Sequence, residues 1–275
     1  MNLYEIVIII LIFVYLGCLY KSSKESFDEK DNYYKHAKLY DEIYDDFYGF
    51  VYDDIFYQKD YYLNLCNIIL EYINNVYNNH LCIGIKHGGH INQLLDKNMN
   101  TKSISKSKAI INVCKYKYNN NNYEYIDNFD SNPYIFDDHT FTHISIIDNE
   151  IYYLPSLHGL FYNANKWLIF KGYLIIPFYH HKQDFKNGFL KLGDNSNIRF
   201  RTIYTTKFKE FSNTDYTMLY ETINDKDKIR KNIHTLYFYK PEYIENIANE
   251  YNFKLIKTNK LTSFESVFIF QKTGE

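Results

Sequence analysis

Apolar residues in this chain follow two rhythms that alternate along its length. Leu65, Ile68, Ile69, Tyr72, Ile73 and Val76 recur at helical spacing and predict an amphipathic helix over Tyr62–Tyr77. Leu81–Ile85 is a short continuous apolar run that reads as a buried strand, and a helix is expected over Ile91–Asp96. A weaker strand over Thr101–Ser105 precedes a helix over Lys106–Lys115, with Ala109, Ile110, Val113 and Cys114 on one face. The Asn-rich run Tyr118–Tyr123 is a loop. Strands are expected over Tyr123–Ile126 and Phe141–Ile147, a helix over Leu157–Leu168, and the most apolar strand of the body over Tyr173–Phe178. Strands and helices alternating at these spacings predict a mostly parallel sheet with helices on both faces.

Beyond Phe178 the rhythm changes. Ile198–Phe208 alternates as a half-buried strand does, with Tyr216–Glu221 and His234–Tyr239 as antiparallel partners. Pro241–Tyr251 reads as a helix with Pro in its favoured first position. Phe253–Lys257 and Ser266–Gln271 are terminal strands. Upstream, Tyr40–Tyr57 holds YDDFY and YDDIFY, a pair of aromatic-acidic helical turns rather than a repeat array. Their acids Asp45, Asp46, Asp53 and Asp54 read as a solvated face.

The first residues follow neither rhythm. Leu3–Tyr20 is apolar apart from Glu5. A helix of that length spans about 27 Å, close to the ~30 Å hydrocarbon core of a bilayer. A cleaved signal would carry a basic start, and none precedes this run. The run predicts an uncleaved transmembrane anchor over 1–20, with a charged linker over 21–35 and a folded domain over 36–275. Lys21 and Lys24 follow the span, which places the C-terminal domain on the cytosolic side of a single-pass protein. The membrane is thus one expected partner.

Composition narrows the field a little. Hydrophobic residues make up 46% and aromatic residues 19%, with 31 Tyr among 275 residues, enough for a sizeable core. The formal net charge of −2 gives no indication of a nucleic-acid partner. Cys18, Cys66, Cys82 and Cys114 form no C-x-x-C pair, so neither zinc nor a disulfide framework is suggested.

Candidate chemistry centres on LCIGIKHGGH at Leu81–His90. An apolar strand, a glycine-bearing turn and a helix make a frame in which backbone N–H groups meet a ligand. The stretch resembles the first motif of the class I S-adenosylmethionine-dependent methyltransferases, L-D-x-G-C-G-T-G. Gly84 and Gly88 stand at the first and third glycines, Cys82 at the acid and Lys86 at the middle glycine. Ser103–Ile110 resembles the family's G-x-D-x-S-x-x-M, with Ser105 at the ribose-binding acid and Ser107 at the serine. Asp127-Asn128-Phe129 resembles the adenine-binding G-D-x, with Asn128 at the acid and Asp127 beside it. Phe136–Ile144 and Asn165–Leu174 are similar to the leads into the fourth and fifth strands.

The resemblance covers about Tyr40 to Lys272. It implies a Rossmann-like sheet ending in an antiparallel C-terminal strand, S-adenosylmethionine as the cofactor, and Cys82, Gly84, Lys86, Gly88, Ser105, Asp127 and Asn128 as the residues around it. It also implies an eroded pocket. Lys86 would crowd the cofactor and set a cation beside a sulfonium, and it suits an anionic ligand better. Charge-assisted hydrogen bonds count about 1.5–3 kcal/mol each, so the changed acids are enough to move a micromolar affinity towards millimolar. Two functions follow from the resemblance: a non-catalytic binding or scaffold module, or an active methyltransferase with atypical cofactor contacts.

Other constellations are weaker. His87, His90 and His143 read as polar turn and strand residues rather than metal ligands, since no acid or Cys completes a set. His180 and His181 lie past the fifth strand, where a general base for a methyl acceptor would sit, and read as a solvated pair. Asp148-Asn149-Glu150 follows the fourth strand on the acceptor side. The family's Asn or Asp followed by Pro-Pro is absent, so no acceptor is implied.

Overall fold

The computed structural model describes residues 37–39, 42–56, 59–72, 78–86, 88–97, 99–188, 202–210, 216–225 and 228–274. The expected anchor over 1–20, the linker over 21–35, His87, residues 73–77 of the expected helix and residues 198–201 of the expected strand lie outside them. Among the described residues no helix is long and apolar enough to cross a membrane.

After a two-residue strand at Lys38–Leu39 come two helices, α1 (Asp46–Phe56) and α2 (Lys59–Leu70). Then follow β1 (Asn79–Ile83), α3 (Gly89–Leu95), β2 (Asn100–Ser105), α4 (Lys108–Tyr118) and β3 (Tyr123–Tyr125). The chain continues through β4 (Phe141–Ile146), a 3-10 turn at Glu150–Tyr153, α5 (His158–Trp167), β5 (Leu168–Tyr179) and a helix α6 over 182–188. Three long strands, β6 (Thr202–Glu210), β7 (Tyr216–Asp225) and β8 (Lys228–Tyr237), form an antiparallel meander. The chain closes with α7 (Pro241–Glu250), β9 (Phe253–Lys260) and β10 (Glu265–Lys272).

The main sheet has seven strands in the order β9-β10-β5-β4-β1-β2-β3. Neighbours from β5 to β3 are parallel, and β10 runs antiparallel to both β5 and β9. Only β10 is reversed, as the resemblance implies. Period-two alternation separates the two faces. Leu81, Ile83, Leu174 and Ile176 pack in one apolar cluster with α1, α5 and α7, while Cys82, Ile175, Val267 and Ile269 pack in another with α2, α3 and α4. Helices thus cover both faces.

Most elements fall where the apolar rhythm places them, within a few residues. Two strands start well before their expected positions: the strand expected from His234 begins at Lys228, and the fifth strand, expected from Tyr173, begins at Leu168. Leu168, expected in a helix, pairs with Phe141 and opens β5. A register shift follows between Phe141 and His143, and Lys171 sits at φ 61°. This bulge carries the strand across the polar stretch that hides its start from a hydrophobicity reading.

Candidate functional site

The order of the strands fixes where a ligand would sit. From β1 the chain steps outward to β2 and β3, then returns to the other side of β1 with β4 and β5. The loops after β1 and β4 therefore meet at a topological switch point, the crevice where open α/β sheets bind ligands.

The loop after β1 is held by the sheet. Gly84 N–H and Ile85 N–H both donate to Ile104 O, at 3.0 and 3.3 Å. Gly84 takes φ 88°, and a Cβ there would collide with the side chain of Glu150. At Gly88, also φ 88°, a Cβ would press on Cys114 Sγ and the Tyr118 ring, each at 3.0 Å. Both glycines are required, and in both cases the close neighbour is a side chain of this protein.

Lys86 is tied to the loop after β4. Its N–H donates to Asp148 Oδ2 at 2.8 Å and its Nζ donates to Asp148 O at 2.6 Å. The same Nζ lies 3.6 Å from Glu150 Oε2, 4.2 Å from the centre of the Tyr153 ring and 5.4 Å from that of Tyr44. Burial pulls its ammonium below the usual lysine range, against the opposite pull of Glu150 and Asp148. The sequence reading leaves the positive charge of Lys86 facing a ligand. The structure gives that charge a carboxylate, a carbonyl and two aromatic faces within the chain. Asp148 and Asn149 make this possible by adopting left-handed φ values of 51° and 62°, which turn Glu150 back over Gly84.

The network runs on through α2. Tyr62 donates its hydroxyl to Asp148 Oδ1 at 2.7 Å and stacks on His90, with ring centres 5.3 Å apart and planes 8° from parallel. His90 Nε2 lies 3.5 Å from Cys82 Sγ. Cys82 is fully buried in β1, and the register places it between Ser103 and Ser145. Burial pushes its thiol well above the usual range, and that of Cys66 to about 12, so both stay protonated and unreactive.

Ser105 ends β2, where its Oγ accepts from Ser107 N–H at 3.3 Å. Ser107 caps α4 by accepting from Ile110 N–H at 3.1 Å, and donates to Tyr44 O at 2.6 Å. Asp127 and Asn128 are exposed; Asp127 accepts from the Tyr125 hydroxyl, and Asn128 O closes the turn to Ser131 and Asn132.

Two cavities flank Lys86. One, of about 320 Å³, is lined by Ser105, Ser107, Glu150, Pro155 and His234. The other, of about 240 Å³, is lined by Tyr52, Tyr61, Tyr62, Asp148 and Glu265. Tyr44, Lys86 and Tyr153 belong to both. Of the residues singled out from the resemblance, Lys86 and Ser105 reach these spaces. Cys82, Gly84, Gly88, Asp127 and Asn128 line neither.

A polar array beside the larger cavity escapes the sequence reading. Glu221 on β7 accepts from the Tyr48 hydroxyl at 3.1 Å, Asn232 Nδ2 at 2.6 Å and His234 Nε2 at 3.1 Å. With the proton on Nε2, His234 Nδ1 accepts from the Tyr153 hydroxyl at 3.2 Å. Glu221 and Asn232 are fully buried and His234 nearly so. The clue was the apolar alternation Leu219, Glu221, Ile223, which points a carboxylate inward. A carboxylate-held imidazole is the arrangement of an oriented general base, and it equally serves to lock α1 onto the meander.

The remaining candidates are structural. His143 Nδ1 faces Thr142 Oγ1 at 2.7 Å and its Nε2 faces Tyr72 O at 2.8 Å. His180 and His181 are exposed, and His180 Nε2 lies 2.9 Å from Ser266 Oγ. Asp45 accepts from Tyr48 N–H and pairs with Arg230 at 2.8 Å. Among the described residues no group of three or more metal-ligating side chains converges.

No family model and no curated protein matches the sequence. Solved structures do match. An S-adenosylmethionine-dependent methyltransferase from Clostridium acetobutylicum shares 15% identity at a TM-score of 0.61, over 82% of this chain and 98% of its own. The CcbJ methyltransferase from Streptomyces caelestis shares 14% at 0.59, over 86% and 100%. The amino pentose methyltransferase CalS10 from Micromonospora echinaspora, solved with S-adenosylmethionine bound, shares 11% at 0.58, over 86% and 100%. The fold is that of the class I S-adenosylmethionine-dependent methyltransferases. At these identities the likeness is one of fold, and the methyltransferase fold makes S-adenosylmethionine a possible cofactor. The residues at the contact points fit it poorly: Gly84 is filled by Glu150, Lys86 is buried in the turn, and Ser105 is bonded to Ser107.

Proposed function

We propose that this protein is a non-catalytic binding module on a methyltransferase fold, in which the residues that would hold S-adenosylmethionine instead hold the chain together. The observation that carries the reading is Lys86. Its ammonium lies at the switch point, bonded to Asp148 O and paired with Glu150, and its backbone N–H is taken by Asp148 Oδ2. A sulfonium brought there would meet a cation already supplied with its counter-charges. A ribose would find the Ser105 hydroxyl, without the two-oxygen acceptance of a carboxylate.

Thermal denaturation with S-adenosylhomocysteine tests this. The wild-type chain should show no shift, and a Lys86→Gly/Ser105→Asp variant should gain one. At 100 times its dissociation constant a ligand adds about 2.7 kcal/mol, a shift of roughly 5–10 °C for a chain of this size. Such a shift in the wild type would contradict the reading.

A second reading, an active methyltransferase, draws support from the Glu221–His234–Tyr153 array on the larger cavity. Membrane attachment is proposed from the apolar sequence of residues 1–20 and a cytosol-facing domain from Lys21 and Lys24 after it, and deletion of residues 1–20 should move the protein to the soluble fraction.

A further inference from the structure

The smaller cavity lies beside the switch point and shares Tyr44, Lys86 and Tyr153 with the larger one. It opens where β4, β5 and β10 reach the same edge of the sheet, and its chemistry is unusual. Tyr52 and Phe56 of α1 line it, their ring centres 4.6 Å apart. Tyr61 and Tyr62 of α2 line it too, with centres 5.1 Å apart and planes at 88°. Among these rings stand two buried carboxyl groups, Asp148 and Glu265. Tyr62 donates to Asp148 Oδ1, and Tyr61 donates to Glu265 Oε1 at 3.3 Å. Glu265 Oε2 has no protein donor among the described residues.

We propose that this cavity binds a small alkylammonium cation, an amine bearing methyl or short alkyl groups. Aromatic rings attract a cation through their quadrupoles, and they do so best where water is excluded and the charge is spread over an apolar shell. A bare metal ion would require a set of oxygen, nitrogen or sulfur ligands, and the lining supplies mainly rings. An anion would face carboxyl groups. Lys86 also borders the cavity, but its charge is met by Glu150 and the Asp148 carbonyl. Asp148 and Glu150 against Lys86 leave one negative charge, and ionised Glu265 makes two.

Glu265 gives the site a signature. Burial pushes its carboxyl up to about 8, the Tyr61 hydrogen bond opposes this, and Asp148 adds to it. Tyr61, Asp148, Tyr179 and Tyr152 are the titratable groups whose charges couple to it, from α2, the loop after β4, β5 and the 3-10 turn. The tyrosines are themselves pushed upward and stay neutral over this range. A bound cation favours the carboxylate, so binding near pH 7 should expel Glu265's proton. This inference stands whether or not the chain binds S-adenosylmethionine.

Calorimetric titration of the full-length chain with choline tests it, beside the uncharged isostere in which carbon replaces the ammonium nitrogen. Choline should bind saturably and at least about tenfold more tightly than the isostere. Its affinity should rise about tenfold between pH ~7 and ~9, with about one proton released at the lower pH and almost none at the higher. Glu265→Gln should remove the pH dependence and weaken binding about tenfold or more near pH 9. If that variant does not fold, the proton count in two buffers of different ionisation heat, measured on the wild type, carries the test. Equal binding of choline and its isostere, binding without proton release, or no saturable binding up to ~10 mM would overturn the proposal.

Discussion

Replacing Lys86 by Met should destabilise the protein even though Lys86→Met exchanges a buried charge for an apolar side chain of similar reach. The reason lies in what stays behind. Lys86 Nζ sits 2.6 Å from Asp148 O and 3.6 Å from Glu150 Oε2, and both side chains of the ion pair are less than a tenth exposed. Removing one partner of a buried pair costs about 3–5 kcal/mol, because the other charge is left uncompensated. The 3.6 Å separation is loose, so about 3 kcal/mol is expected for Lys86→Met and about 2 for Glu150→Gln. The double variant should cost about 2–3 kcal/mol rather than the 5 expected from addition, a coupling of ~2–3. Urea denaturation followed by the fluorescence of Trp167, the sole and fully buried tryptophan, reads all four corners of this cycle. A coupling below ~0.5 kcal/mol, or a neutral Lys86→Met, would refute the reasoning. Lys86 would then be a residue waiting for a ligand rather than a brace between two loops.

Two further outcomes are expected. Folded Glu265 keeps its proton to about pH 8, while its ordinary value is 4.5, so the folded state binds more protons in between and stability falls as pH rises through that window. At ~1.4 kcal/mol per unit the loss is of order 5 kcal/mol; Glu265→Gln should match the wild type near pH 4 and exceed it near pH 9, and parallel curves would sink the assignment. His80, held neutral by burial, contributes the opposite slope: stability drops as pH falls below its ordinary 6.5, so the difference between variant and wild type is the quantity to read. Lys171 at φ 61° bears the left-handed penalty of about 1–2 kcal/mol, partly offset by the entropy glycine adds to the unfolded chain. Lys171→Gly should raise stability by about 0.5–1 kcal/mol in the same urea assay, and a loss would mean that its side chain packs more than its backbone strains.

What the sequence revealed, and what it hid, follows from the range of the interactions. The frame β1–turn–α3–β2–α4 was legible because alternation and helical spacing are local and each strand here is buried on both faces. Cys82 and Ile83 point to opposite helix layers as their pattern requires. The start of β5 was not legible, since Phe170, Lys171 and Gly172 look like a turn and are a bulge. The site was harder to see. Lys86 read as an intruding charge because its partners, Asp148 and Glu150, lie more than sixty residues away and reach it only where two loops meet. Glu221 and His234 come together only through the β7–β8 register, in which Glu221 faces Asn232 and Leu219 faces His234. Asp127 and Asn128 fit a motif by position but face solvent, which no spacing rule reveals.

On the proposed function, the Lys86 turn serves the fold and not a cofactor. Calorimetric titration of the wild-type full-length chain with S-adenosylmethionine tests it most directly. No saturable heat is expected below about 1 mM; a single-site isotherm with a dissociation constant under ~100 μM, some 5.5 kcal/mol or more of binding free energy, would contradict this role for Lys86.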